Sequence, residues 1–358
     1  MLQDELDPRS WDEYFGHERV VRLAKAALAS NRLPKSILVS GPTGVGKGAL
    51  VRLFLRALRC ERRRPGEVQA CGECPVCRSD PRRADPAVED LMWVQSGSGE
   101  SLNRQVAEAI EFARTPPRYN LDDHRRVKVV VIDEVDVLSY PQIVSLYYES
   151  EIPQPHGRTL FIFVTMNEAK LAEQQFRALA DRGQHWRLGR LSEYRIDLYL
   201  RSRFPQLSAE SRQLVASHCG GSIRGALQIL ERVRTLDPYF TDLSVAAEVG
   251  AATPATRAHL WQLVQSPHSR MADITAFLRQ LDGEVDERVL LGQLVRDVEA
   301  AIESAPNPEQ ILFLDRARAV QTGLMPLSTL LAMAKGAALV NPAQLQADPD
   351  PFALLEES

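Results

Sequence analysis

No stretch of the 358 residues approaches the roughly 18–20 consecutive apolar side chains that a membrane-spanning helix needs. The opening MLQDELDPRSWDE is acidic where a secretory signal is basic and then apolar, so a cytoplasmic location is the expectation. A surplus of positive charge is missing as well. The net charge is −4, which argues against a nucleic-acid coat and leaves DNA contact to local patches. No internal repeat is visible. Hydrophobic residues at 44% and charged residues at 25% exclude bulk disorder and a fibre, and the length suits two or three domains.

Cysteine is scarce outside one stretch. Four of the five fall together as Cys60-x10-Cys71-x2-Cys74-x2-Cys77, and Cys219 stands alone. A disulfide framework is unexpected in a cytoplasmic protein of this size, so the cluster points to metal. Four thiolates with two overlapping C-x2-C steps suit a closed structural Zn²⁺ site with no open position. An iron–sulfur cluster and free buried cysteines are other readings of the same residues. Arg62, Arg63 and Arg64 lie in the loop such a metal closes, either contacting DNA or a partner or simply solvated. Cys219 reads as a small core residue.

The first half alternates β-rich runs with helical patterns. Strands are expected at Ser36–Ser40, Val127–Ile132 and Leu160–Thr165, with helices at 46–58 and 102–114, which argues for a parallel α/β sheet. Strand signals stop after about Leu191. Ser208 is placed to cap a helix running to His218. Gly220-Gly221 breaks it, and Ser222 caps the next, up to Thr235. Asp237-Pro238 marks a boundary. Beyond Asp242, helical stripes recur: Ile274, Phe277, Leu278 and Leu281, then Leu291, Leu294, Val295, Val298 and Ile302. The end, from Asn341, is polar and acidic. Within it Pro351-Phe-Ala-Leu-Leu355 docks in a partner groove, packs on the last helix or is disordered.

Gly41-Pro42-Thr43-Gly44-Val45-Gly46-Lys47-Gly48 follows a strand and precedes a helix. Its glycines let backbone N–H groups turn onto phosphate oxygens, Lys47 meets the β/γ-phosphates, and the helix N-terminus adds a favourable dipole. The P-loop pattern places Ser or Thr after the lysine as the Mg²⁺ ligand. Gly48 supplies no such ligand. At the end of the second strand, Asp133 is a candidate Mg²⁺ holder and Glu134 a candidate for polarising water; solvated acids at a strand end are the alternative.

With these residues in view, the sequence resembles the bacterial clamp-loader subunits of the AAA+ class, the γ/τ and δ′ subunits of DNA polymerase III. The segment from Asp7-Pro-Arg-Ser-Trp to Val21 resembles the box flanking the adenine pocket, with His17 where the family usually has Gln. Asn31-Arg-Leu-Pro34 precedes the phosphate loop as in the family. A four-cysteine zinc module just after the P-loop helix is specific to these subunits. The run from Thr115-Pro-Pro through Ile132-Asp-Glu-Val-Asp136 to Ser139 resembles the approach to the family's DE acids. Asp181-Arg182-Gly183 matches the Ser-Arg-Cys element that carries an arginine finger into a neighbour's ATP site. Gly221-Ser-Ile-Arg-Gly-Ala-Leu227 resembles the sensor-2 helix start, with Arg224 facing nucleotide. Surface salt bridges are the alternative role for both arginines.

The resemblance implies an AAA+ P-loop parallel-sheet domain over 1–190 with a zinc module at 60–77, a small helical lid over 191–240, an all-helical collar over 241–340 and an acidic tail over 341–358. It implies a replication clamp-loader subunit in a ring-shaped hetero-oligomer, with other loader subunits, the sliding clamp and primer-template DNA as partners, and with zinc and ATP/Mg²⁺ as cofactors. Three departures weaken hydrolysis more than binding and point to a δ′-like stator with little or no ATP turnover of its own. They are Gly48, Met166 where a polar sensor-1 residue is usual (Thr165 and Asn167 flank it), and Tyr148-Glu-Ser-Glu-Ile-Pro153 in place of Leu-Glu-Glu-Pro-Pro. The alternatives are a γ-like ATPase motor using Lys47, Asp133, Glu134 and Arg224, and a zinc-stapled nucleic-acid-binding protein with a decayed P-loop.

Overall fold

The computed structural model describes residues 1–30, 32–82, 90–95, 102–117, 127–152, 158–167, 183–266, 268–281 and 285–304, with positions 313, 314, 317, 327, 330 and 331. Arg182 and the tail from Asn341 lie outside the described residues. The chain divides into two compact units, Met1–Arg203 with Cys219–Gln228, and Phe204–His218 with Ile229–Ser358.

In the first unit, short α1 (Leu2–Glu5) and α2 (Glu18–Ser30) lead to β1 (Ser36–Ser40), α3 (Lys47–Arg59) and the one-turn α4 (Pro75–Arg78). Then follow β2 (Leu91–Gln95), α5 (Leu102–Arg114), β3 (Val127–Asp133), α6 (Tyr140–Glu151), β4 (Arg158–Thr165), β5 (Gln184–Arg187) and α7 (Glu193–Arg203). The three expected strands form, β3 and β4 slightly longer than their apolar runs. Two further strands, β2 and β5, complete a five-stranded parallel sheet of order β2-β3-β4-β1-β5. Both are edge strands. Gln184-His-Trp-Arg187 has a single apolar anchor, Trp186, and becomes a strand by pairing with β1, Val39 opposite Trp186.

Alternation along the strands divides the core into two layers. Ile37, Val39, Val129, Val131, Ile162 and Val164 point toward α2 and α3, where Leu28, Leu50 and Phe54 are buried. Leu38, Val130, Ile132, Phe161 and Phe163 point the other way, onto Val106 and Ala109 of α5 and Ile143 and Leu146 of α6. Each buried aliphatic or aromatic side chain contributes about 1.5–3 kcal/mol. Phe54 meets Trp186 edge-on at 5.1 Å, tying α3 to the edge strand. Arg59, at the end of α3, is buried. It donates to the Val127 carbonyl at 2.7 Å and pairs with buried Asp90 at 3.5 Å.

In the second unit, α8 (Ala209–His218) starts where Ser208 Oγ accepts from the Ser211 N–H at 3.0 Å, the cap its sequence foretold. Helix α9 (Ile223–Leu236) starts in the first unit and ends in the second, at a turn in which the Asp237 carboxylate accepts from Tyr239, Thr241 and Ser244, bonds that pull its pKa down. Then come α10 (Asp242–Glu248), α11 (Pro254–Gln265), α12 (Met271–Gln280) and α13 (Glu287–Ser304). Ile274, Leu291, Leu294 and Val298 from the expected stripes are buried with Leu260 and Val264. Gln293 pins Ala252 through both its N–H and its carbonyl.

Candidate functional site: a phosphate loop and a cysteine cluster

Because all five strands run parallel, their C-terminal ends meet at one edge of the sheet, where crossover loops leave room for ligands. The loop after β1, Asp133 and Glu134 at the end of β3, and Thr165 and Met166 at the end of β4 line one cavity of about 360 Å³ there. Lys47, Arg224 and every loop residue from Thr43 to Gly48 line it too.

The loop is folded by its glycines. Gly41 (φ +148°), Gly44 (φ +80°) and Gly46 (φ +104°) occupy backbone conformations costly to other residues. At two of them space decides as well: a Cβ on Gly41 would lie 2.1 Å from the Leu188 carbonyl oxygen, and one on Gly44 2.1 Å from Ser222 Oγ. Lys47 Nζ donates back to the Gly41 and Pro42 carbonyls at 2.6 and 2.8 Å, so the ammonium is held inside the curl of the loop.

Three elements brace the loop from outside. Gly16 and His17 both have positive φ, and this turn carries His17 Nε2 to 3.1 Å from the Val45 carbonyl. His17 is outside the residues lining the cavity, and its burial lowers its pKa. The Tyr14 hydroxyl donates to the Gly46 carbonyl at 3.3 Å, and burial pushes its pKa up. The Arg224 N–H, at the start of α9, donates to the Gly44 carbonyl at 3.3 Å, while its exposed side chain faces the cavity. Ser222 caps that helix through the Gly225 N–H, as its sequence indicated.

Glu134 sits at φ +56°, and its N–H donates to Asp133 Oδ1 at 3.1 Å. That kink brings both acids to the cavity. Burial raises the Asp133 pKa; the Glu134 N–H, the Trp93 indole, Lys47 and Arg52 pull against it. In the region of sensor 1, the Thr165 hydroxyl donates to Asp136 Oδ1 at 2.8 Å and accepts from the Asn167 N–H. The Thr43 hydroxyl donates to Met166 Sδ at 3.3 Å. Thr165 thus joins the end of β4 to the loop after β3, and Asn167 bonds back to Thr165.

One residue of this site escaped the sequence reading. Arg52, one turn beyond Gly48, sends its guanidinium over the glycine: a Cβ at Gly48 would lie 3.3 Å from Arg52 Nη1. Asp7 holds the other edge, accepting from Nε at 3.2 Å and from Nη2. The signal was the i, i+4 spacing, since long helical side chains lean toward the N-terminus and cover the preceding turn. These residues fit a divalent ion poorly. The hydroxyl ligand is missing, burial disfavours the Asp133 carboxylate, and a guanidinium stands where the ligand would be.

At the other end of α3, Cys60 follows the last helical residue, and Cys74 precedes α4, which carries Cys77. The sulfurs of Cys60, Cys71, Cys74 and Cys77 all lie within 4.8 Å of one another, and Cys71 to Cys77 is 3.8 Å. Tetrahedral Zn–S bonds of about 2.3 Å imply sulfurs about 3.8 Å apart, so the set fits one ion, and the separation is too long for a disulfide. Backbone N–H groups of Cys71, Glu73 and Cys74 donate to cluster sulfurs at 3.3–3.4 Å, a shell that favours thiolates. Donation from the Cys77 thiol pulls Cys60 down to about 4, and the same bond pushes Cys77 up. Of the nearby arginines, Arg62 pairs with Glu73 at 2.8 Å. Arg63 is buried, donating to the Leu28 and Glu67 carbonyls, and so is no outward contact. Cys219 is a buried core residue, as expected.

A family model described as DNA polymerase III, delta subunit, matches residues 16–174. DNA polymerase III subunit tau of Bacillus subtilis is 23% identical over 281 residues, covering 76% of this chain and 46% of the relative. DNA polymerase III subunit gamma of Buchnera aphidicola from Schizaphis graminum is 24% identical, covering 68% of this chain and 63% of the relative. The chain therefore spans about half to just under two-thirds of these relatives. Among solved structures, a RuvB of Thermotoga maritima aligns with TM-score 0.48 and 16% identity, over 76% of this chain and 85% of that one. Among the described residues, no helix is long and apolar enough to cross a membrane. With a phosphate loop, paired acids and a four-cysteine cluster in its α/β domain, the chain is a relative of the bacterial DNA polymerase III clamp-loader subunits of the γ/τ and δ′ type, in the AAA+ class.

Proposed function

We propose that the chain is a δ′-like clamp-loader subunit, working in a hetero-oligomeric AAA+ ring with other DNA polymerase III subunits to open a sliding clamp and place it on primed DNA. It binds ATP at the phosphate loop and turns it over weakly or not at all. The observation that carries this reading is a complete cradle without its metal-binding hydroxyl: Lys47 is held against the Gly41 and Pro42 carbonyls, and Gly48 follows it. Binding needs the cradle, whereas cleavage also needs charge neutralisation and an oriented water. Glu134 lines the cavity and is the residue to polarise that water if any turnover occurs. Arg224 faces the subunit's own nucleotide, and Arg182 serves as a finger for a neighbour's site. The four cysteines hold structural zinc. Residues 191–240 act as the lid, 241–340 as the collar, and the acidic tail follows.

The test is ATP turnover by the full chain, alone and mixed with partner loader subunits, clamp and primed DNA. The chain alone is expected to bind ATP without measurable turnover. In the mixture, Arg182→Ala is expected to lower DNA-stimulated turnover by about 10³-fold at the site it serves, the low end for an arginine finger. Unchanged turnover with Arg182→Ala would overturn the finger. Turnover by the chain alone that Glu134→Gln abolishes would replace the stator with a γ-like motor.

A further inference from the structure

We infer that Arg52 takes the place of the divalent cation at the phosphate loop, so that this site grips the terminal phosphates of a nucleoside triphosphate without a metal ion. The inference rests on the nucleotide reading of the cavity and specifies how the charge is met.

Three observations converge on it. First, Gly48 leaves a berth: with no side chain there, Arg52 Nη1 lies where a Cβ would be only 3.3 Å away, beside Lys47 at the mouth of the loop. Second, the guanidinium is fixed in advance. Asp7 accepts from Nε and Nη2, so the edge carrying Nη1 is the one turned to Gly48. A planar fork clamped on one side presents its remaining donors in a set direction, which suits phosphate oxygens. Third, Asp7 does not neutralise the cluster. It also lies 3.9 Å from Arg56, so one carboxylate faces two guanidiniums and positive charge remains for an anion. Arg52 lines the same cavity as Lys47 and Asp133, the acid a P-loop protein turns toward its metal. The Asp80–Arg82 pair adds Arg82 to the same wall.

The chemistry is an exchange of one cation for another. A divalent ion bridges phosphate oxygens and can be stripped by chelation. A guanidinium on the same helix as Lys47 can only hydrogen-bond and neutralise, and no chelator removes it. Such a site holds triphosphate as a fixed ligand rather than one prepared for cleavage.

The experiment is calorimetric titration of ATP into the full chain, once in EDTA and once in excess Mg²⁺. Dissociation constants within about threefold of each other are expected, with Arg52→Gln weakening binding in EDTA by about tenfold or more, the scale of a charge-assisted hydrogen bond. Because Arg52→Gln also breaks the Asp7 pair, Gly48→Ser is the second variant. Its Cβ displaces only the tip of a flexible side chain and restores the hydroxyl, so binding should come to favour Mg²⁺ by about tenfold or more. Wild-type binding that already needs Mg²⁺ overturns the inference while leaving the nucleotide reading intact, as does a folded Arg52→Gln with unchanged affinity in EDTA. A wild-type chain that binds no ATP in either buffer overturns the nucleotide reading, and this inference with it.

Discussion

Helix α3 has a phosphate cradle at its first turn and a four-sulfur cluster just past its last, and the two ends are stabilised by different means. At the N-terminus the backbone itself does the work. Three left-handed glycines turn the loop, and Lys47, Tyr14, His17 and the Arg224 N–H satisfy its carbonyls. The cradle is thus assembled from the protein alone, ready for an anion at the positive end of the helix dipole. At the C-terminus, the loop of residues 60–78 has little apolar core, with Val76 the main buried aliphatic side chain among the cysteines. Four sulfurs this close repel as thiolates without a cation between them. One end of the helix is shaped by backbone geometry alone; the other gathers four sulfurs that could share one ion.

Loss of the metal should separate the two ends most strongly. Structural zinc in small modules carries apparent binding free energies of about 10–16 kcal/mol at neutral pH. Cys77→Ala, or strong chelation, is therefore expected to abolish bound zinc and open 60–78 to protease. The sheet, whose core lies elsewhere, should keep its cooperative melt. Protein purified without any metal yet equally resistant to protease would remove the zinc assignment.

A smaller effect is expected at the cradle. Gly41→Ala places a Cβ 2.1 Å from a backbone oxygen at a left-handed position, and should cost about 2–4 kcal/mol in a denaturant melt. Gly48→Ala should cost under about 1 kcal/mol, since it meets only the tip of Arg52 and sits in a helix that favours alanine. Equal costs would mean that the loop is not shaped by Gly41.

The smallest effect concerns His17. Its folded-state pKa lies below 6.5, because burial opposes the charged ring. The unfolded chain therefore binds more protons between those two pKa values, and stability falls as pH drops through 6.5 toward the folded value. The slope from this one group is at most about 1.4 kcal/mol per pH unit. His17→Gln should flatten that part of the stability–pH curve while the cysteine cluster, at the far end of α3, keeps its metal. An unchanged curve would mean that His17 does not titrate with folding.

Much of this architecture was legible beforehand because it rests on local rules. Buried runs such as Val127–Ile132 marked central strands, Ser208 and Ser222 marked helix starts, and the cysteine spacing marked a cluster that could hold an ion before any distance was known. The edge strands were not legible. Gln184–Arg187 has no strand pattern of its own and is drawn in by hydrogen bonds to β1. Nor was the outward role offered for Arg63, because whether an arginine snorkels or is buried depends on carbonyls 4 and 35 residues away.

Sequence by itself determined the parallel sheet, the glycine loop, the lysine and the four sulfurs, since each depends on residue type at short spacing. It also determined that Gly48 carries no hydroxyl. Only the tertiary structure decided what stands there instead. Arg52 and Asp7 are 45 residues apart, and their meeting over Gly48 follows from the packing that brings the N-terminal segment to α3. The tertiary fold likewise raises the pKa of Asp133, because burial, with neighbouring cations pulling against it, acts through space rather than along the chain.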